Sequence, residues 1–299
     1  MNLGSFLYRQ KQRWKYHMSP SLFGKKVAEI NRYEPLITTY DESFKIAGCD
    51  LLFSKKDHTF LVDRFDFFRK LLRTPGVQFE LIEGRLILRY GGVSLIITTA
   101  EELFIFYEIF IGGCYRVHSA RPFNVIDVGM NVGFASLFFA SQPFIHNVFS
   151  FEPFRPTYND AIRNFQMNAH LSGKVHAHNY GLARQAEKRM VSYSSDLKGK
   201  NSMHSGPGNE QIELRDVSAV LDEIFSKSSG ELFCVKMDCE GAEFEIFERL
   251  KERPINDRVF GFIIEWHNED PMQIIDVLVS NAFHVHVTGK QIGLITAFR

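Results

Sequence analysis

From residue 122 to the end of the chain, short apolar stretches alternate with segments whose apolar residues recur at helical spacing. Apolar runs that lack polar alternation are typical of strands buried on both faces of a parallel sheet. Strands are predicted at 124–128, 147–151, 175–180, 232–237, 259–265, 283–287 and 292–297. Helices are predicted between them, at 133–141, 155–169, 242–251 and 271–281, with another starting near 217. This alternation predicts an α/β fold: a mostly parallel seven-stranded sheet with helices on both faces and one antiparallel edge strand in the closing hairpin.

The first 121 residues follow a different pattern. Helical spacing at 59–73 predicts a helix that stops at Thr-Pro-Gly. Three strand-like runs separated by Glu-Gly and Gly-Gly predict a meander of hairpins, and Thr99 with Glu102 predicts a capped helix that ends near residue 112. We therefore expect a mostly helical extension over 1–75, a hairpin meander with a lead-in helix over 76–121, and the α/β domain over 122–299.

The charge balance argues against a nucleic-acid partner. The 35 basic and 35 acidic side chains cancel, and the chain has no motif for a flipped base, so no nucleic-acid partner is expected. Residues 1–32 are an exception, since seven basic side chains stand against one acidic side chain with aromatic residues between them. Two interpretations stay open for this segment: a weak contact with an anionic membrane surface, or a solvated helix that packs its aromatic residues on the protein.

The sequence also predicts a compartment. The four cysteines lack zinc-site spacing, and a disulfide framework is not expected in a chain of this length. No stretch approaches the apolar length of a membrane span, and the first thirty residues lack the apolar core of a signal peptide. A reducing, cytoplasmic setting is therefore expected.

The loop after the first buried strand carries the strongest chemical signal, Asp127-Val-Gly129-Met-Asn131-Val-Gly133. Its glycines let a ligand approach the backbone, and the following helix offers free N–H groups. The spacing lacks the middle glycine of a dinucleotide fingerprint, and a carboxylate at Asp127 repels a pyrophosphate but pairs with an ammonium group. The loop therefore favours S-adenosylmethionine over NAD, although a Gly-rich packing turn would look similar.

Two further motifs follow strand ends. Glu152 lies 23 residues after Gly129, where a carboxylate can accept hydrogen bonds from both hydroxyls of a ribose. Lys236, Asp238, Glu240 and Glu243 then crowd the carboxyl end of a central strand, the edge at which open α/β sheets bind ligands. An ion-pair network would explain this crowding too. Carboxylates also bind metals, but nothing in the spacing demands one, and no metal is predicted.

Together with Ile264-Glu265-Trp266-His267, these motifs resemble the FkbM family of S-adenosylmethionine-dependent methyltransferases, in the same order over residues 99–267. The resemblance implies a Rossmann-like class I methyltransferase that uses S-adenosylmethionine. It implies methylation of a hydroxyl on a sugar, a glycolipid or a secondary metabolite. The predicted cofactor-binding residues are Asp127, Gly129, Asn131, Gly133, Phe151, Glu152, Pro153, Tyr180 and Asp238.

A hydroxyl acceptor needs a group that takes its proton, and a positioned base contributes about 10² to 10⁴-fold in rate. His267 is the first candidate because the ordinary pKa of histidine lies near neutrality, and Asp238 and Glu265 are the rivals. A histidine that only packs in the core is the alternative. The long loop over 196–208 is predicted as a substrate-binding flap or as a disordered connector. The predicted substrate contacts are Lys236, Glu240 and His204.

Two other functions stay open: a nicotinamide-dependent oxidoreductase on a similar sheet, and a binding module without catalysis. Binding of one cofactor or the other separates the first from methyl transfer, and turnover separates the second. The expected partner is a small-molecule or carbohydrate acceptor. The sequence does not decide between a monomer and a homo-oligomer.

Overall fold

The computed structural model describes residues 19–194, 201–202, 208–228, 230–267 and 269–299. These residues form two compact units, 19–112 and 113–299. Among the helices that the structure describes, none combines the length and the apolar character needed to cross a bilayer.

The first unit begins with α1 (Pro20–Ile30), whose first turn is capped by the Ser19 side chain. A small antiparallel sheet follows, formed by β1 (Ile37–Thr39), β2 (Ser43–Ile46) and β3 (Phe53–Ser54). The sequence pattern predicts no strand in this region, because strands of two to four residues are too short to show a period. The helix predicted over 59–73 forms as two pieces, α2 (Phe60–Asp63) and α3 (Phe65–Leu72), which are separated at Arg64.

The hairpin meander forms as the pattern predicts. It consists of β4 (Gln78–Ile82), β5 (Arg85–Tyr90) and β6 (Val93–Ile97), paired antiparallel in that order. Thr99 and Glu102 form a complete capping box at the start of α4 (Ala100–Phe106). The helix continues as a π-helical turn, Tyr107–Gly112, to the end of this unit.

The second unit is built on the predicted seven-stranded sheet. In spatial order its strands are β15 (His284–Val287), β16 (Ile292–Phe298), β14 (Val259–His267), β13 (Leu232–Met237), β7 (Phe123–Val128), β8 (Ile145–Phe151) and β9 (Val175–His178). The pairs from β14 to β9 are parallel, and β16 is antiparallel to both of its neighbours. The fold class is therefore confirmed, and the antiparallel strand lies one place in from the edge.

Helices and a smaller sheet complete this unit. The helices are α5 (Phe134–Ala140), α6 (Arg155–Met167), α7 (Ala169–Ser172), α8 (Val217–Lys227), α9 (Ala242–Leu250) and α10 (Met272–Ser280). The smaller sheet contains β10 (Gly181–Ala183), β12 (Glu210–Asp216) and β11 (Glu187–Val191), in that spatial order.

Helices cover both faces of the large sheet. Ile126, Val235 and Ile264 point to one face and join a single apolar core with residues of α8, α9 and α10. Because side chains alternate along a strand, Asp127 and Lys236 point to the other face, towards α5. Asp127 and Lys236 thus lie on one face of the sheet, near the carboxyl ends of the central strands.

Candidate active site

The loop after β7 lies directly against the loop after β13. Gly129 has a left-handed backbone (φ +80°), and a Cβ at this position would lie well inside contact distance of the Asp238 carbonyl oxygen. The Asp238 N–H donates to the Val128 carbonyl at 3.0 Å. Gly133 also has a positive φ, and a Cβ there would lie 2.7 Å from the Phe165 ring. Packing within the protein therefore already requires both glycines, and their contact with a cofactor stays a prediction.

Asp127 lies next to Lys236 because β7 and β13 pair in register at these two residues. The Asp127 side chain is fully buried, with Oδ1 at 3.0 Å from Lys236 Nζ. The Ser136 hydroxyl on α5 donates to Asp127 Oδ2 at 2.6 Å and lies 2.9 Å from the hydroxyl of Ser150. The charge of this carboxylate is thus compensated within the protein.

Lys236 links three parts of the site. Besides its ion pair, the ammonium group donates to the Gly129 carbonyl at 2.8 Å and lies 5.5 Å from the centre of the Tyr115 ring. Burial lowers the pKa of Lys236, but the carboxylates of Asp127 and Asp238 outweigh it, so the net pKa lies above the ordinary value. Lys236 stays charged and holds the Gly129 loop.

Glu152 follows β8 and is almost completely buried. Its Oε1 accepts the Phe154 N–H and its Oε2 accepts the Asn131 N–H, each at 3.0 Å. Burial raises the pKa of Glu152 to about 7, while these two N–H groups and Lys236 act in the opposite direction. Asn179 donates to the Glu152 backbone carbonyl at 3.0 Å. The carboxylate is therefore anchored between the two predicted cofactor loops.

Asn131 has an unusual conformation for a residue other than glycine, with φ at +52°. This backbone directs its N–H to Glu152. Its side-chain Oδ1 is buried and has no hydrogen-bond partner among the described residues. A buried acceptor of this kind is costly unless a donor reaches it, which marks Asn131 as a candidate contact for a bound molecule.

Three more of the predicted cofactor residues lie close to one another. The Phe151 ring lies 5.4 Å from the Tyr180 ring, which is covered on another side by the Arg215 guanidinium at 3.9 Å. A Cβ on Gly181 would lie 3.3 Å from Pro153, so the segment after Tyr180 passes close to this proline. The structure thus brings Phe151, Pro153 and Tyr180 together, although their contact with a cofactor stays a prediction.

The predicted bases converge at the carboxyl ends of β13 and β14. His267 Nε2 lies 3.8 Å from Asp238 Oδ1 and 3.7 Å from Glu265 Oε1. Glu240, predicted to contact substrate, places Oε2 at 3.7 Å from the same nitrogen. The His267 side chain is only 1% exposed, whereas the three carboxylates are partly accessible. One buried imidazole is thus surrounded by carboxylates that solvent can reach.

Glu243 contacts the other ring nitrogen of His267. Its Oε1 lies 3.3 Å from His267 Nδ1, and its two oxygens accept the N–H groups of Cys239 and Gly241 at 2.8 Å. Burial raises the pKa of Glu243, yet His267 and the backbone donors outweigh it, and the net pKa lies below the ordinary value. The ionised Glu243 therefore directs Nε2 towards the other carboxylates.

Sequence reasoning did not assign a role to several contacts around this cluster. The Tyr115 hydroxyl donates to Asp238 Oδ2 at 3.3 Å, and the Ser202 hydroxyl donates to the Glu240 carbonyl at 2.7 Å. Tyr115 lies 123 positions before Asp238 in the chain, so no local sequence pattern could identify this contact. His204 lies outside the described residues, as does most of the predicted flap.

His267 and two of the carboxylates around its Nε2 form a set that could hold a metal ion. One ligand atom each from Asp238, Glu240 and His267 lies within 4.8 Å of the other two. One imidazole nitrogen and two carboxylates are donors that divalent cations accept. Within the described residues, the cluster can therefore act on a proton or on a cation.

Comparison with known proteins places these motifs in a family. The family profile described as the methyltransferase FkbM domain matches residues 127–285, which include every motif of the candidate site. Among curated proteins, methyltransferase sdnD of Sordaria araneosa is 28% identical over 204 residues, covering 58% of this chain and 76% of that protein. Methyltransferase 1 of Beauveria bassiana is 27% identical over 177 residues, covering 51% and 68%.

Solved structures that superpose on part of this chain share little sequence with it. A methyltransferase FkbM from Methylobacillus flagellatus superposes with a TM-score of 0.41 at 14% identity, over 63% of this chain and 46% of that one. This chain thus spans less than half of that structure. TrmK of M. capricolum, solved with S-adenosyl-homocysteine, superposes with a TM-score of 0.36 at 12% identity, over 63% and 66%.

Proposed function

Because this chain belongs to the FkbM methyltransferase family, we propose that it transfers a methyl group from S-adenosylmethionine to a hydroxyl of a sugar, a glycolipid or a secondary metabolite. One observation carries the hydroxyl acceptor: His267, Asp238 and Glu265 lie around a single point beside the Gly129 loop. Each can take a proton, as a hydroxyl nucleophile requires.

The residues near Gly129 suit a nucleoside cofactor. Each carboxylate oxygen of Glu152 accepts one backbone N–H and has a second lone pair, so the two oxygens can accept the two ribose hydroxyls. The buried Asn131 Oδ1 offers a further acceptor. We place the cofactor against Glu152 and Asn131, with Phe151, Pro153 and Tyr180 forming the surrounding wall.

Asp127 and Lys236 have a different role in this proposal from the one that the sequence predicts. The Lys236 ammonium is engaged by Asp127 and the Gly129 carbonyl, so we assign it to positioning the loop rather than to binding the acceptor. Asp127 keeps Lys236 charged and in place. The pair acts on the cofactor through Gly129.

Bound S-adenosylmethionine supplies an electrophilic methyl carbon on a sulfonium. The acceptor oxygen would bond to that carbon as the carbon–sulfur bond breaks, and His267, Asp238 or Glu265 would take the hydroxyl proton. The products are the methyl ether and S-adenosylhomocysteine. The protein contributes orientation, a place for the proton and exclusion of water.

Calorimetry tests the cofactor assignment. The full chain is titrated with S-adenosylhomocysteine and, separately, with NAD. We expect saturable binding of the first only, and a Glu152→Ala variant should weaken it. Binding of NAD alone would favour the oxidoreductase, and binding of neither would favour a module without this chemistry.

A methyl-transfer screen tests the acceptor class. Glycosides, glycolipid precursors and amines are incubated with the protein and cofactor labelled in the methyl group. We expect label on a hydroxyl oxygen and a loss of turnover of about 10²-fold or more in His267→Ala, with unchanged S-adenosylhomocysteine affinity. His170→Ala, an exposed histidine on α7, is the matched control. Transfer to amines alone would overturn the hydroxyl acceptor.

A further inference from the structure

We propose that Asp238, Glu240 and His267 bind a divalent cation, which holds the acceptor oxygen. This inference rests on the proposed function and deepens it, because it selects acceptors that can offer an oxygen ligand to a metal. It also replaces the expectation from the sequence that no metal binds.

The distances from His267 Nε2 to the two carboxylates suit one shared cation. Two ligands at about 2.1 Å from a cation lie about 3.0 Å apart at a right angle and about 4.2 Å apart in a straight line. His267 Nε2 is 3.8 Å from Asp238 Oδ1 and 3.7 Å from Glu240 Oε2. Both separations fall inside this interval, and both exceed the length of a hydrogen bond.

Glu243 provides an independent sign of a ligand histidine. A histidine that binds a metal commonly donates its other ring N–H to a carboxylate, which fixes the tautomer and the ring orientation. Glu243 Oε1 stands at Nδ1 of His267, and the backbone N–H groups of Cys239 and Gly241 anchor this carboxylate. The arrangement directs a lone pair of Nε2 towards Asp238 and Glu240.

The site is accessible on one side. Asp238 and Glu240 keep 27% and 19% of their side chains exposed, while the His267 side chain is 1% exposed. Three protein ligands leave further coordination positions for water and for the acceptor. A cation bound here draws electron density from the acceptor oxygen and favours loss of its proton.

This assignment separates the roles of the three predicted bases. Asp238 and His267 become ligands, and Glu265 remains to receive the hydroxyl proton. Its Oε1 lies 3.7 Å from His267 Nε2, at the edge of the metal set. The predicted acceptor is a compound with a hydroxyl that can reach the cation, such as a glycoside with neighbouring hydroxyls.

Mn²⁺ is the probe, because both carboxylates and imidazole bind it and its free ion has an electron paramagnetic resonance signal. The full chain is freed of metal with EDTA, dialysed and titrated with Mn²⁺ in the presence of S-adenosylhomocysteine. We expect one bound Mn²⁺ per chain. An absence of saturable binding below about 1 mM would overturn the inference.

Two variants locate the ion. Glu240→Gln and Asp238→Asn should each weaken Mn²⁺ binding about tenfold or more. Glu248 lies on α9 and its carboxylate pairs with Arg184, so Glu248→Gln is the matched control and should bind Mn²⁺ as the natural sequence does. The far-ultraviolet circular dichroism spectrum and the urea midpoint, measured on the same samples, show that each variant is folded. Equal Mn²⁺ affinity in all three variants would overturn the site.

Different experimental results would overturn the metal site and the proposed function. Methyl transfer to a hydroxyl at full rate in EDTA would overturn the cation and leave the proposed function standing. Stoichiometric Mn²⁺ binding without transfer to any hydroxyl would overturn the acceptor class and leave the cation site standing. Transfer that stops in EDTA and returns with Mn²⁺ supports both.

Discussion

Charge burial governs the behaviour of single residues in this site. Asp127, Lys236 and Glu152 are 0%, 2% and 5% exposed, and burying an isolated charge costs several kcal/mol. Asp127 and Lys236 compensate each other at 3.0 Å. Backbone N–H groups hold Glu152, but burial still raises its pKa to about 7. Removing Lys236 should therefore destabilise the fold, whereas removing the Glu152 carboxyl should change how stability depends on pH.

Lys236→Met should lower the free energy of unfolding by about 3 to 5 kcal/mol, because it leaves the Asp127 carboxylate buried without its counter-charge. Urea denaturation measures this. Lys227→Met removes an exposed pair with Glu223 on α8 and should leave the free energy of unfolding almost unchanged, because water screens that pair. The double variant Asp127→Asn with Lys236→Met should recover part of the loss. Strictly additive losses would show that the two charges are not coupled.

Glu152→Gln should change how stability depends on pH. The pKa of Glu152 in the folded protein, about 7, lies above its ordinary value of 4.5, so the folded state binds more protons between these values. The stability contributed by the protonated carboxyl is present below about pH 4.5 and is lost as the pH rises through about 7. Relative to Glu152→Gln, the natural sequence should therefore be less stable at about pH 8 than at about pH 5.

Urea unfolding of both proteins across this range measures the difference. Parallel curves would contradict it. The same variant should bind S-adenosylhomocysteine more weakly, since an amide has one acceptor oxygen where the carboxylate has two.

At the level of elements, the loops that follow neighbouring strands bring the polar side chains of the site together. The loops after β7 and β13 each hold a residue other than glycine in the left-handed region, Asn131 and Glu240, both with φ at +52°. Such a conformation is costly for most side chains and is often found at functional sites. The two loops touch at Gly129, so the geometry of one depends on the other.

Gly129→Ala should disturb both loops. Its added Cβ meets the Asp238 carbonyl, whereas Gly48→Ala, at an almost identical φ of +81°, meets nothing within 4 Å. Gly48→Ala should cost about 1 to 2 kcal/mol from backbone strain alone. Gly129→Ala should cost more and should also weaken S-adenosylhomocysteine binding. Urea denaturation and calorimetry on the two variants test this, and equal losses of stability would contradict the close approach.

At the level of the whole molecule, the two relevant features are its net charge and its division into two compact units. The net charge is zero at pH 7, and the isoelectric point is about 7.2. All the described residues that we assign to the site belong to the 113–299 unit, and the family match lies within it. A neutral chain has no general attraction for a polyanion, which fits a small acceptor better than a nucleic acid.

We therefore expect no saturable binding of transfer RNA at physiological salt. Fluorescence anisotropy of a labelled RNA, titrated with the full chain, measures this. A saturable rise that weakens steeply as salt increases would contradict the prediction, because that dependence indicates contacts with phosphates. It would direct attention to the basic segment over 1–32.

The periodic pattern and the motif spacing were enough to predict the large sheet, most of its helices and the position of the motif residues at the strand ends. Buried strands and amphipathic helices leave a local record in the sequence, because each residue's burial follows the period of its own element. The three short strands over 37–54 left no such record, and the break at Arg64 interrupts a helix that the pattern predicts as continuous.

Only the tertiary structure decided what the motif residues contact. Register between β7 and β13 turned Asp127 towards Lys236, and packing of the two loops explained Gly129 without a ligand. Convergence of separate strand ends placed Asp238, Glu240 and Glu265 around His267, with Glu243 behind it. Distances between residues far apart in the chain depend on how strands pair and helices pack, and local sequence does not encode them residue by residue.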